Sequence, residues 1–172
     1  MYFFTADEHY GHRNLIERNY CDRPFATIDE MDAEIRKRHN EVVGSGDMVI
    51  HAGDFTLHKG DAAQAYVRKL NGNHIFLKGS HDYWLKNNVP QIWERNIEGY
   101  YIVVCHYAMR VWARSHYNSW QVYGHSHGKL APQGKQWDVG VDANNFYPVS
   151  FTKLKEIMDN QPDNFNLIRK SR

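Results

Sequence analysis

Short apolar runs that each stop at an Asp or a His are the feature that most constrains this chain. Tyr2–Ala6 stops at Asp7-Glu8-His9, Met48–Ala52 at Gly53-Asp54, and Ile75–Lys78 at Gly79-Ser80-His81-Asp82. Tyr100–Cys105 runs into His106, and Trp120–Tyr123 into Gly124-His125-Ser126-His127. Runs this short, apolar on both faces, suit buried strands. In open α/β sheets, ligands collect beyond the carboxyl ends of the strands, and rigid strands hold ligating groups more accurately than free loops.

Helical signals lie between the strands. One helix is expected near Arg13–Arg18. Thr27, three residues before Glu30, makes a capping box ahead of the stripe Ile28, Met31, Ile35 and Val42. Asp61 precedes a helix carrying Ala65, Val67 and Leu70. Ser150 caps a last one with Phe151, Leu154 and Ile157 on one face. Trp137–Val141 reads as a further strand. The alternation predicts an α/β protein with layers stacked around mixed sheets. One domain is expected over residues 1–161, followed by a polar tail, 162–172, that frays.

Taken singly, Asp-x-His and Gly-Asp are commonplace. His125-Ser126-His127 says more, because alternation puts both rings on one side of an extended chain. As an ordered set, Asp7, His9, Asp54, His106, His125 and His127 point to metal. They exceed the three protein ligands of a mononuclear zinc site and suit two divalent ions sharing a bridge, with Asp54 as the bridging carboxylate. Mixed nitrogen and oxygen donors favour manganese, with iron, zinc, nickel or cobalt as alternatives, over calcium or Cu(I). Two divalent ions against two aspartates and a hydroxide leave a positive centre, which suits a phosphate ester.

Other classes recede. Lys and Arg number 21 against 20 Asp and Glu, so a general polyanion binder is disfavoured. Tyr100–Cys105, the longest apolar stretch, is far too short to span a bilayer. Met1 leads straight into Tyr2-Phe3-Phe4 without a basic signal region. Cys21 and Cys105 make no disulfide framework, so a cytoplasmic location is expected. Neither a nucleophile elbow nor a phosphate-binding P-loop is present.

At these residues the chain resembles the calcineurin-like metallophosphoesterases, whose ordered motifs are Asp-x-His, Gly-Asp, Gly-Asn-His-Asp/Glu, a lone His and Gly-His-x-His. It is more similar still to a small single-domain bacterial and phage branch of that family. The further matches are Gly11-His12-Arg13-Asn14, Arg23-Pro24-Phe25, Met109-Arg110-Val111-Trp112, Gly140-Val141-Asp142 and Pro148-Val149-Ser150-Phe151. The resemblance implies a four-layer αββα sandwich. Asp7, His9, Asp54 and His127 would hold one ion, and Asp54, His106 and His125 the other. His81 would be the acid at the leaving group, oriented by Asp82. The implied activity is hydrolysis of phosphate esters, diesters ahead of monoesters, by attack of a metal-bridging hydroxide. Nucleotide- or nucleic-acid-derived esters fall within the class. Ser80 stands where the family has Asn, and a neutral hydroxyl is a poor ligand. Weaker hold on the second ion and slower turnover are expected, with a weakened metal-binding scaffold or a nuclease on nucleic-acid ends as alternatives.

The remaining candidates are less specific. His12 and Arg110 lie near the motifs as possible supporting or substrate contacts, with His51 and His116 behind them. His39 and His58 are expected to face solvent, Cys105 to be a packed thiol, and Asp142 and Asn144 to form turns. Gly72-Asn73-His74 imitates the missing motif, but it precedes its strand and reads as a turn.

Overall fold

The computed structural model describes residues 1–168. In chain order the elements are β1 (Tyr2–Thr5), α1 (Asn14–Glu17), α2 (Ile28–Val42), β2 (Met48–His51), α3 (Gly60–Val67), β3 (Asn73–Phe76), β4 (Ile92–Ile97), β5 (Tyr100–Cys105), β6 (Trp120–Tyr123), β7 (Gln136–Asp138), β8 (Val149–Ser150) and α4 (Phe151–Asn160), with 3-10 turns at Ser115–Tyr117 and Val141–Ala143. They build two four-stranded mixed sheets, ordered β3-β2-β1-β8 and β4-β5-β6-β7. Parallel pairing of β1, β2 and β3 brings their carboxyl ends to one edge. The same holds for β5, β6 and β7. Ala6 and Gly140 form an isolated parallel bridge where the two sheets meet, and Val141 N–H donates to the Ala6 carbonyl at 3.0 Å.

The main core joins Phe4, Ile50 and Leu77 of the first sheet region to Ile102, Val104 and Val122 of the second, together with Leu154 and Met158 of α4. Full burial of one such side chain contributes about 1.5–3 kcal/mol. A second cluster, with Met31, Ile35 and Leu70 against Tyr10 and Phe55, packs α2 and the turn after α3 against the loops that follow β1 and β2. Mixed sheets packed together and flanked by helices make up the α/β sandwich expected from the sequence.

The caps behave as their sequence implies. Thr27 Oγ1 accepts from Glu30 N–H at 3.2 Å, and Glu30 reaches back to Ala26 N–H at 2.9 Å. Ser150 Oγ accepts from Lys153 N–H at 3.1 Å. Asp61 differs, because α3 begins at Gly60 and its N-cap is Lys59, with no side-chain cap bond. Strand β4 is absent from the sequence reading. It is an exposed edge, IWERNI, whose polar residues hide the strand pattern. It is joined to β5 by Glu98-Gly99, both at positive φ, the two-residue hairpin geometry that matches strand twist.

The segment expected as a tail is anchored at Asn164. Asn164 is buried. Its amide donates to the Ser115 and Ser119 carbonyls at 3.0 and 2.9 Å, and its Oδ1 accepts from Lys135 N–H. These bonds tie the segment to the second sheet. The last four positions of the expected tail, 169–172, lie outside the described residues. Among the described residues no helix is long and apolar enough to cross a membrane.

Candidate metal centre

The loops after β1 and β6 bring Asp7, His9 and His127 together, with one ligating atom from each inside a 4.8 Å span. The loops after β2, β5 and β6 do the same for Asp54, His106 and His125. Asp54 links the two groups. Its Oδ2 lies 3.3 Å from His106 Nε2 and 3.8 Å from His9 Nε2. Asp7, His9, Asp54 and His106 are buried, whereas His127 is half-buried and His125 exposed. The cluster therefore has a dry floor and an open mouth.

The backbone here is unusual. Asp7, His9, Asp54, His125 and His127 all have φ between 49° and 66°. Left-handed non-glycine residues carry a conformational cost and persist only where surrounding structure over-determines them, as at functional sites. Two glycines allow the close approach. A Cβ on Gly79 would meet Asp54 Oδ1 at 2.3 Å and Asp54 N at 2.5 Å, and one on Gly124 would meet Asp7 Oδ2 at 2.6 Å.

Electrostatics separate the two carboxylates. Burial pushes Asp7 up to about 8, because the charged form loses water. Asp54 also feels burial, but the His106 ring, His9 and the His81 amide outweigh it and hold the carboxyl well below the usual range. His106 is raised because Asp54 and Asp7 outweigh its desolvation. Burial also opposes charge on His127, but Asp142, Cys21 and Asp7 push it up to about 10.

The donor set fits divalent cations. Asp7 Oδ1, His9 Nδ1 and His106 Nε2 are buried without a hydrogen-bond partner. Such atoms are rare in folded proteins and call for an ion or an equivalent partner. Mixed carboxylate and imidazole donors suit manganese, iron or zinc.

The other expected site residues divide. Ser80 Oγ donates to Asp54 Oδ2 at 2.9 Å, and His81 N–H to Asp54 Oδ1 at 2.7 Å. The His81 ring stands 5.3 Å from that of His9 and 5.7 Å from that of His12, and the His12 ring is 5.3 Å from His9. Asp82 does not orient His81. Its Oδ2 accepts from Asp54 N–H and Gly79 N–H, and its Oδ1 from Phe55 N–H and Trp84 Nε1–H. It clamps the loop that carries Asp54. Arg110 is exposed, 5.7 Å from the Phe165 ring centroid, and among the described residues it bonds to none of the cluster.

Asp142 is more than a turn former. Its Oδ2 accepts from His127 Nδ1 at 2.7 Å, and Arg23 pairs with both of its oxygens at 2.7 Å. Sequence reading missed this link because neither residue belongs to a ligand motif. His39 also departs from expectation, being buried with Nε2 on the Asn71 carbonyl. Asn73 and His74 open β3 rather than precede it. His74 bonds to His51, and His51 bonds to Glu8, so these side chains form a polar line that is buried at Glu8 and His51 and partly exposed at His74.

No family model matches the chain. An uncharacterized protein of Methanocaldococcus jannaschii is 29% identical over 166 residues, spanning 91% of this chain and 90% of that protein. The solved structure of a protein of unknown function from Aquifex aeolicus superposes with a TM-score of 0.68 at 23% identity, covering 91% of this chain and 98% of that one, so the fold is shared. A conserved uncharacterized protein of Streptococcus pneumoniae, described as a predicted phosphoesterase, superposes with a TM-score of 0.39 at 15% identity over 81% of this chain and 70% of that one.

Proposed function

We propose that this protein is a metal-dependent phosphoesterase, with phosphodiesters preferred over monoesters. The observation that carries the reading is the pair of three-residue donor groups linked at Asp54. Asp7, His9, Asp54 and His127 would hold one divalent cation, and Asp54, His106 and His125 a second. Cations so held supply charge neutralisation for a phosphoryl group and acidify water near neutral pH.

The chain's own residues account for the rest. The buried floor keeps the carboxylates and imidazoles from being satisfied by solvent. The exposed His125 and half-buried His81 put the mouth of the cluster at the surface, an opening that suits an ester with substituents on two oxygens. His81 is the proton donor to the departing oxygen. Its loop is held through the Asp54 carboxylate and, one step further back, through Asp82.

Metal analysis of the purified protein, paired with a Mn²⁺-dependent assay on an aryl phosphodiester, tests the reading. Wild type should bind the metal and hydrolyse the ester, and Asp54→Asn should lose both. Hydrolysis that is unchanged in Asp54→Asn, or by chelation, would overturn it.

A further inference from the structure

The geometry points to Arg23 and Asp142 as a positioning pair that prepares His127 and Asp7 to hold one cation. This rests on the metal-binding reading of the centre. Arg23 comes from the loop before α2, and its side chain has no exposed surface. Its Nε and Nη2 bind the two oxygens of Asp142 at 2.7 Å each. Nη2 also donates to the Asp7 carbonyl at 2.6 Å. Nη1 donates to the Glu8 carbonyl at 2.9 Å and meets the Met31 sulfur at 3.3 Å. Every guanidinium nitrogen is engaged, so Arg23 is not a phosphate-binding arginine.

What Arg23 does is transmitted through Asp142. The ionised Asp142 carboxylate accepts from His127 Nδ1 at 2.7 Å. With Nδ1 engaged by Asp142, Nε2 is the nitrogen left to ligate. A carboxylate behind a ligating imidazole fixes both tautomer and ring orientation. Arg23 keeps Asp142 turned toward His127, and its fork fixes the carboxylate plane, as a bidentate guanidinium does and an ammonium cannot. The same guanidinium pins the carbonyls of the Asp7–Glu8 turn, where Asp7 sits at φ 59°. One buried cation therefore holds a ligand of the first sheet and a ligand of the second in a common frame. Asp54, His106 and His125 have no bond to it.

Calorimetric titration of the full chain with Mn²⁺ tests the pair. His127→Gln and His125→Gln identify which binding step belongs to which group. Asp142→Asn and Arg23→Lys should each weaken the step that His127→Gln weakens most by about ten- to hundredfold, and leave the His125-dependent step within about twofold. Because Asp142 acts through His127, adding Asp142→Asn to His127→Gln should cost nothing more. The melting temperature of each metal-free variant is recorded alongside. Selective, non-additive loss supports the pair. Variants that bind like wild type overturn it while the metal reading stands, and so does equal weakening of both steps with a fall in melting temperature. Failure of wild type to bind Mn²⁺ at all overturns the metal reading itself. Should Arg23→Lys fail to fold, the nearly isosteric Asp142→Asn decides alone.

Discussion

Ser80 donates its hydroxyl hydrogen to Asp54 Oδ2 at 2.9 Å, the oxygen that also faces His106 and His9. A neutral hydroxyl bound to the shared carboxylate reduces that oxygen's capacity for a cation and supplies no strong ligand in exchange. Ser80→Asn should restore an amide carbonyl at this position. The expected outcome is a gain on the order of tenfold in affinity for the His125-dependent ion, with a parallel rise in kcat for an aryl phosphodiester. Titration calorimetry and steady-state kinetics check this, and a fall in both would count against the placement of this loop.

His81 supplies a proton rather than a ligand on this reading, so His81→Ala should leave Mn²⁺ stoichiometry unchanged. Its effect should depend on the leaving group. Alkyl esters, which need protonation of the departing oxygen, should slow by about 10²–10⁴, and aryl esters with acidic phenols much less. Rates for a series of diesters of increasing leaving-group pKa give the measurement, and equal slowing across the series would remove His81 from that role.

Gly79→Ala probes the close approach of two loops. The new methyl would stand 2.3 Å from Asp54 Oδ1 and 2.5 Å from its backbone nitrogen, and the backbone atom cannot swing aside as a side chain could. Asp54 must shift, so metal binding and hydrolysis should fall together. The destabilisation should be about 1–3 kcal/mol, as for overpacking elsewhere, measured by urea unfolding of the metal-free protein.

His39 and His74 should make the fold less tolerant of acid, against the opposite contribution of Asp7, whose raised value favours the folded chain as pH falls below about 8. Burial pulls His39 down to about 4 from the ordinary 6.5, and burial with the neighbouring His51 and His39 does the same to His74. Above pH 6.5 both rings are neutral whether the chain is folded or not. Between pH 6.5 and 4 the unfolded chain takes up protons that the folded one refuses, so stability falls as pH falls, then levels off for these groups below 4. For His39 the loss is roughly 3 kcal/mol across that window, and the more exposed His74 adds less. Urea midpoints at pH 7.5, 6 and 5 isolate the His39 contribution as a difference: the advantage of wild type over His39→Gln should shrink in that order.

Much of this was legible in advance where the information is local. Tyr100–Cys105 and Trp120–Tyr123 have as strands the limits their apolar runs imply, and the Thr27 and Ser150 caps are three-residue patterns. The candidate ligands were legible because each directly follows such a run. β4 was not, since an edge strand needs no apolar face of its own. The period of α2 does place His39 on the apolar stripe, between Ile35 and Val42, so its burial was legible there; its partner, the Asn71 carbonyl, and the stacking with His51 were not.

By itself, the amino-acid order determined which segments become strands and helices and which donors stand at their ends, because period and capping act over a few residues. Only the tertiary structure decided what those donors lean on. Arg23 and Asp142 meet across 119 positions of chain, and Asp82 turned from His81 to the Asp54 loop. Hydrogen-bond partners of buried groups are chosen by whichever elements pack around them, and that choice exists only once both sheets have closed on a common core.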